Sequence, residues 1–163
     1  MRWAVVDSPI GVLSLAVDEV GVCRVEFGPV EPARPTQPAH PTPDRLAAAI
    51  DELGAYFAGE RTEFGVPLSV RHGSDFERAV WREISAIPYG ETRTYGAVAA
   101  TLGEPGAARA VGAACNRNPI PVIVPCHRIV GAGGKLVGFG GGLPRKRYLL
   151  ELEACITLQR AWS

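Results

Sequence analysis

Residues 94–116 read TYGAVAATLGEPGAARAVGAACN, and residues 117–130 continue as RNPIPVIVPCHRIV. Thr94 is a side-chain cap for a short helix through Leu102, Gly103-Glu104-Pro105-Gly106 makes a turn, and Ala107–Asn116 forms a second helix. Two short helices joined by a glycine-containing turn of about four residues are a helix-turn-helix candidate. The second helix is built almost wholly from small side chains; only Arg109 and Asn116 offer a long or polar group to a base edge. Small side chains let a backbone come close to something, either a neighbour in a tightly packed core or a sugar–phosphate surface. On the second reading, Arg109 inserts into nucleic acid while Gly112 and Ala113 allow close approach. That contact is shape-driven and suits the minor groove.

Beyond Asn118-Pro119, the apolar run Ile120–Val124 predicts a buried strand that delivers Pro125-Cys126-His127-Arg128 to a loop with seven glycines between Gly131 and Gly142. Cys126 is the residue that stands out. Its cationic neighbours predict a thiol pKa below the usual ~8.5 and a larger thiolate fraction. The bland alternative is a buried structural thiol, which is how Cys23 and Cys155 read. On an extended chain adjacent side chains point to opposite sides, so His127 would reach Cys126 through a bridging water or after a sharp bend at Pro125. Such a relay needs a group to orient the imidazole. Pro144 opens a last helix through about Ala154, in which Glu153 shares the apolar face of Leu149 and Leu150. Glu153 either supplies that carboxylate or lies at the core margin.

Upstream, Trp3–Val6, Val12–Val17 and Val20–Phe27 read as a β-meander. Six prolines between Pro29 and Pro43 make a loop or linker. Asp44 caps a helix to about Ala58, with Leu46, Ile50, Leu53 and Phe57 on one face and Gly59 as the stop. Val66–Val70 reads as a further short strand. Ser74, with Glu77 as a capping box, starts a helix carrying Phe76, Val80 and Ile84 and ending at Pro88-Tyr89-Gly90. The expected fold is α+β. A small N-terminal β-sheet and helix domain (residues 1–73) packs on a mainly helical C-terminal domain (74–163) that carries the helix-turn-helix.

The 163 residues hold 17 Lys plus Arg against 17 Asp plus Glu, a net charge of zero. The balance is uneven along the chain. Residues 1–75 carry six basic and eleven acidic side chains, and the remainder eleven basic and six acidic. A uniformly basic nucleic-acid binder is excluded; one with a basic back half is not. Four scattered cysteines without a CxxC suit neither a disulfide framework nor a zinc site, and point to reduced thiols in the cytoplasm. Neither a signal peptide nor an apolar run of membrane-spanning length is visible.

With Pro125-Cys126-His127-Arg128 placed after a helix-turn-helix, the chain resembles the O6-alkylguanine-DNA alkyltransferases (methylated-DNA–protein-cysteine methyltransferases). The likeness is dense over about residues 74–155. It includes Ile87-Pro88-Tyr89-Gly90-Glu91-Thr92, Tyr95-Gly96, Ala107-Ala108-Arg109-Ala110-Val111-Gly112, Asn118-Pro119-Ile120, Ile123–Val130 and Gly140-Gly141-Gly142. The resemblance implies irreversible, single-turnover transfer of an alkyl group from O6-alkylguanine, and O4-alkylthymine, to Cys126 after base flipping, with no cofactor. It implies a Glu153–His127–water–Cys126 relay and proton donation from Tyr95 toward guanine N3. It further implies an Arg109 finger that fills the stack, and Asn118 as a hinge tying the helix-turn-helix to the active-site strand.

Further DNA contacts fall on Tyr95, Gly112, Ala113, Arg117 and Arg128, within a phosphate footprint of Arg109, Arg117, Arg128, Lys135, Arg145, Lys146 and Arg147. Phe139, Gly140, Gly141 and Pro121 line the substrate pocket; Phe139 stands where many relatives have Tyr, and Gly140 where some have Ser. The N-terminal metal ligands of some relatives are absent as a set, so no zinc is expected. The implied partner is double-stranded DNA containing O6-alkylguanine, bound through its minor groove by a protein monomeric in solution; the sequence leaves open whether it is cooperative on DNA. The rivals are a non-catalytic alkyltransferase-like lesion binder, which lacks the acceptor cysteine, a plain helix-turn-helix regulator, and a cysteine hydrolase.

Overall fold

A computed structural model of the chain describes residues 1–29 and 45–162. The Asp44 cap and the prolines from Pro32 to Pro43 lie outside the described residues. The chain divides into two compact units, Met1–Arg71 and His72–Ser163.

In the first unit, β1 (Arg2–Val6), β2 (Leu13–Val17) and β3 (Val22–Phe27) form an antiparallel sheet in the order β1-β2-β3. The pairing runs from Arg2↔Val17 to Val6↔Leu13, and from Leu13↔Phe27 back to Val17↔Val22 with a bulge at Ala16/Val17. Local chemistry sets both turns. The Ser8 hydroxyl bridges the Ile10 amide and the Gly11 carbonyl, and the Asp18 carboxylate accepts from Val20 and Gly21 N–H. Central β2 is buried throughout, Ser14 included; that hydroxyl is satisfied by the Gly28 carbonyl at 2.7 Å. Helix α1 (Arg45–Phe57) contacts all three strands. Its buried face is Ala49, Leu53 and Tyr56; of the expected Leu46–Ile50–Leu53–Phe57 stripe Leu53 is buried, and the face is turned from the other three because Tyr56 fills the core and packs near Phe64. Val66–Val70 is not a strand: only Leu68 bridges Val22, in parallel.

The second unit begins with α2 (Asp75–Ser85), which has the full capping box, Ser74 to the Glu77 amide and the Glu77 carboxylate to the Ser74 amide. Such a cap stabilises a helix by about 1 kcal/mol. Helix α3 (Tyr95–Thr101), capped by the Thr94 hydroxyl, packs on α4 (Ala108–Asn116), and residues 102–107 join them. The indole of Trp81 on α2 donates to the Ala114 carbonyl at 2.8 Å and pins α4. Two short strands that sequence patterning did not show, β4 (Arg93–Thr94) and β5 (Ile129–Val130), pair in parallel. Helix α5 (Leu143–Ala161) runs well past the expected end near Ala154; its last turns are largely exposed, so no apolar periodicity marks them in the sequence. Among the described residues, five α-helices and a small antiparallel sheet make the fold α+β. No described helix is long and apolar enough to cross a membrane.

Candidate active site

Asn118, two residues past α4, builds the floor of the site. Its Oδ1 accepts from the Ile120 amide (2.9 Å) and its Nδ2 donates to the Val124 carbonyl (2.8 Å). Residues 120–124 are buried as their composition predicts, but they form a turn rather than a strand. Pro121 and Val124 make an isolated bridge, the Val124 amide returns to the Ile120 carbonyl, and Val122 sits at φ 72°. Pro121 and Pro125 lack the N–H groups a strand ladder needs, and a turn does without them. A β-branched residue with positive φ costs on the order of 1–3 kcal/mol, held here by the Asn118 side-chain bonds.

The chain leaves this turn through Pro125 into a 3₁₀ helix, Cys126–Arg128. Cys126 is 5% exposed, with the Asn118 side chain placed to favour its ionised form. His127 is fully buried, and its Nε2 lies 2.7 Å from Glu153 Oε2. Immediately after the 3₁₀ helix, β5 pairs with β4, which sets Tyr95, the first residue of α3, beside the Cys126 segment. The half-buried Tyr95 donates its hydroxyl to the Val137 carbonyl at 3.0 Å.

Glu153 is the electrostatic centre. Arg128 Nε (2.8 Å) and the Gly90 amide (3.1 Å) donate to Oε1; His127 Nε2 and Arg128 Nη2 (3.0 Å) donate to Oε2. Burial alone would raise the carboxyl pKa, but the hydrogen bonds from His127 and Arg128 outweigh it and hold the group down at about 2. For His127 burial dominates and lowers the pKa against the pull of Glu153, so the imidazole rests neutral. An anionic Glu153 fixes the proton on Nε2 and leaves Nδ1 as the basic atom. Nδ1 is buried with no hydrogen-bond partner, so the thiol does not touch it directly.

The expected low thiol pKa is corrected. Burial pushes Cys126 up to about 11, against the Asn118 hydrogen bond and the Lys146 charge. The expected cationic neighbour Arg128 is not available to it. Arg128 is 6% exposed, forks onto Glu153 and donates Nη1 to the Ile87 carbonyl at 2.8 Å. Its place among the DNA contacts is likewise corrected, because a buried guanidinium committed to a carboxylate cannot reach phosphate. Lys146 leaves the phosphate footprint for the same reason: it is fully buried, with Nζ at 3.2 Å and 3.1 Å from the Val137 and Gly138 carbonyls.

The structure thus brings together Cys126, His127, Glu153, Asn118 and Tyr95. Arg109 and Ala113 are exposed on α4, and Gly112 faces Tyr95 closely enough that an added Cβ would lie 3.8 Å from its ring. Arg117 is exposed and pairs with Glu77 at 3.1 Å. Pro121 and Gly141 are buried, Phe139 is half-buried and Gly140 is exposed.

Sequence reasoning gave no role to the Ile87 carbonyl or the Gly90 amide, and placed Lys146 in the phosphate footprint rather than in the site. Lys146, Leu149 and Glu153 are the buried residues of α5, and their i, i+3, i+7 spacing was a readable signal. Gly90 has φ 81°, and a Cβ there would collide with Thr157; glycine is what lets this turn reach Glu153. Among the described residues, no group of three or more His, Cys, Asp or Glu side chains is placed to hold a metal.

Two family models match the chain. Residues 75–155 match "6-O-methylguanine DNA methyltransferase, DNA binding domain", and residues 1–70 match "6-O-methylguanine DNA methyltransferase, ribonuclease-like domain". A methylated-DNA–protein-cysteine methyltransferase of Mycolicibacterium paratuberculosis is 51% identical over 94% of this chain and 92% of its own length. One from Methanosarcina acetivorans is 47% identical over 94% and 98%. Among solved structures, Mycobacterium tuberculosis OGT in complex with DNA superposes with a TM-score of 0.85 at 48% identity, covering 96% of this chain and 94% of that one. The O6-methylguanine-DNA methyltransferase of Pyrococcus kodakaraensis gives 0.71 at 25% identity, covering 93% and 99%.

Proposed function

The chain belongs to the 6-O-methylguanine DNA methyltransferase family, and we propose that within it Cys126 is the residue that accepts the alkyl group. The protein is a methylated-DNA–protein-cysteine methyltransferase, an enzyme of direct-reversal repair with DNA as its partner. One observation carries the assignment of Cys126: the next residue, His127, is buried, neutral and oriented by an ionised Glu153, with its basic nitrogen unpartnered. A lesion binder without chemistry would have no use for that base beside a thiol.

The substrate is O6-alkylguanine in double-stranded DNA, with O4-alkylthymine as a second lesion. A stacked base hides the alkyl carbon from in-line attack, so the nucleotide rotates out at a cost of a few kcal/mol. Residues 74–163 form the DNA-binding and active-site domain. Helices α3 and α4 act as its helix-turn-helix; α4 lies in the minor groove with Gly112 and Ala113 at the backbone and Arg109 in the emptied stack. Arg117 contacts phosphate after releasing Glu77, since an exposed pair of this kind is worth less than about 1 kcal/mol. Phe139, Gly140, Gly141 and Pro121 surround the extruded base. The protein works in the cytoplasm and is monomeric in solution.

With its thiol pKa near 11, Cys126 is a thiol at neutral pH. It becomes a nucleophile only as His127 Nδ1 takes the proton through a bridging solvent molecule. The sulfur pair forms the S–C bond, the C–O6 bond breaks, and its electrons remain on guanine. Tyr95, whose hydroxyl burial keeps protonated up to about pH 12, gives N3 a proton. The proton taken by His127 makes good that loss, so one hydrogen passes from sulfur to guanine. The thioether stays, and each molecule acts once.

Protein mixed with excess duplex carrying O6-methylguanine is expected to gain one methylene-equivalent of mass per chain, on the peptide containing Cys126. Unmodified protein at saturating duplex refutes the assignment. Arg109→Ala should slow repair of duplex on the order of tenfold, while changing reaction with free O6-benzylguanine less than about twofold, because only the duplex needs a base held out. Equal losses on both substrates would contradict the finger role.

A further inference from the structure

The buried charges of the second unit do not cancel. Arg128 and Lys146 are cations and Glu153 is the anion, while His127 is neutral. Both Glu153 oxygens are taken by Arg128, His127 and Gly90, so Arg128 and Glu153 match each other and Lys146 is left as a buried positive charge. A fully buried ammonium is costly unless an anion faces it. Lys146 Nζ is fixed by the Val137 and Gly138 carbonyls and lies 5.8 Å from the centre of the Tyr95 ring. Burial lowers its pKa, and the groups that oppose this are the thiols of Cys126 and Cys115 once ionised; among the described residues no carboxylate contributes. The same Val137 carbonyl accepts the Tyr95 hydroxyl, so α3, α5 and the glycine loop hold the ammonium in place from three sides.

We infer that Lys146 is a positioning residue for alkyl transfer: a pre-fixed counter-cation that becomes matched when Cys126 turns into a thiolate. The site stands one positive charge in excess at rest, and the thiolate brings it to neutrality. Lys146 keeps its three protons throughout; the thiol proton leaves by His127, and the ammonium lowers the energy of the anion left behind. The groups facing Lys146 that carry or acquire charge are Cys126 on the 3₁₀ helix, Cys115 on α4 and Tyr95 on α3, with its field also reaching His127. This inference deepens the acceptor role of Cys126 and rests on it.

Benzyl transfer from free O6-benzylguanine, followed by intact mass, separates the two. Lys146→Met should lower the maximal rate of benzylation about tenfold or more while Kd for O6-benzylguanine changes less than about threefold, and Lys146→Arg should recover part of the rate. A role confined to strapping the loop would move Kd instead. The thiol itself gives a second reading: alkylation of Cys126 by iodoacetamide, which needs no base pocket, should slow about tenfold in Lys146→Met at pH 7 and recover in part in Lys146→Arg. Wild-type protein that takes up no benzyl group sinks the acceptor role and this inference with it. Normal wild-type uptake with an equally fast Lys146→Met, or iodoacetamide alkylation of Cys126 unchanged by Lys146→Met, overturns the inference alone.

Discussion

Cys126→Ser, incubated with duplex carrying O6-methylguanine, is expected to show no gain in mass under conditions that convert the wild type completely. The substitution changes one atom at a buried position, so stability should move by about 1 kcal/mol or less. The chemistry should change far more. Displacement at carbon needs a soft, deprotonated nucleophile, and a serine hydroxyl is a much weaker acid than a thiol even when burial has raised that thiol to about 11. The Glu153–His127 pair has a far smaller gap to bridge for the thiol of Cys126 than for a serine hydroxyl, for which the same base falls far short. A loss on the order of 10⁴-fold or more follows, the scale seen when a nucleophile is removed from an otherwise intact site. Binding to the lesion duplex should persist, since no phosphate contact is assigned to Cys126. Methyl uptake by the serine variant would move the acceptor elsewhere, with Cys115, the buried thiol that shares the Lys146 charge, as the first place to look.

Much of this site was legible because its signals are local. The Ser74–Glu77 box, the Thr94 cap and the order Asn118…Cys126-His127…Glu153 each need only a few neighbouring residues to be recognised. Helical spacing singled out Glu153 as a candidate, and the family resemblance gave it its place in the relay. What sequence missed depends on distant partners. Ile120–Val124 looked like a strand because burial makes any apolar run look alike, whereas Asn118 bends it into a turn around Val122. Arg128 and Lys146 looked like phosphate contacts because most cations are solvated; their burial follows from Glu153 on α5 and from the carbonyls of the glycine loop. The β4–β5 ladder is two residues long and joins segments with no shared pattern. It nonetheless places Tyr95 at the thiol.

Glu153→Gln should be the second most damaging single change, through both stability and rate. Each Glu153 oxygen accepts two donors, Arg128 Nε with the Gly90 amide and His127 Nε2 with Arg128 Nη2. A glutamine keeps the shape but must turn an NH₂ toward one of those pairs. Facing Arg128 Nε and Gly90, it sets three donors against one another. Facing His127, it forces the imidazole to accept at Nε2 and carry its proton on Nδ1, which removes the base that Cys126 needs. Either way Arg128 and Lys146 remain buried without an anion. Breaking a buried pair from one side costs about 3–5 kcal/mol, a large share of a total near 5–15 kcal/mol. Methyl transfer should fall a further 10²–10⁴-fold or so, the usual worth of a positioned acid–base group. Acid separates this account from a general loss of packing. The folded-state pKa of Glu153 is depressed from 4.5 to about 2, so its stabilisation is complete above pH 4.5 and lost as pH falls through 2. Urea unfolding should therefore show a wide gap between wild type and Glu153→Gln at pH 7 that narrows steadily between pH 4.5 and 2. A gap of constant size across that window would mean that the carboxylate charge contributes nothing and that shape alone is at stake.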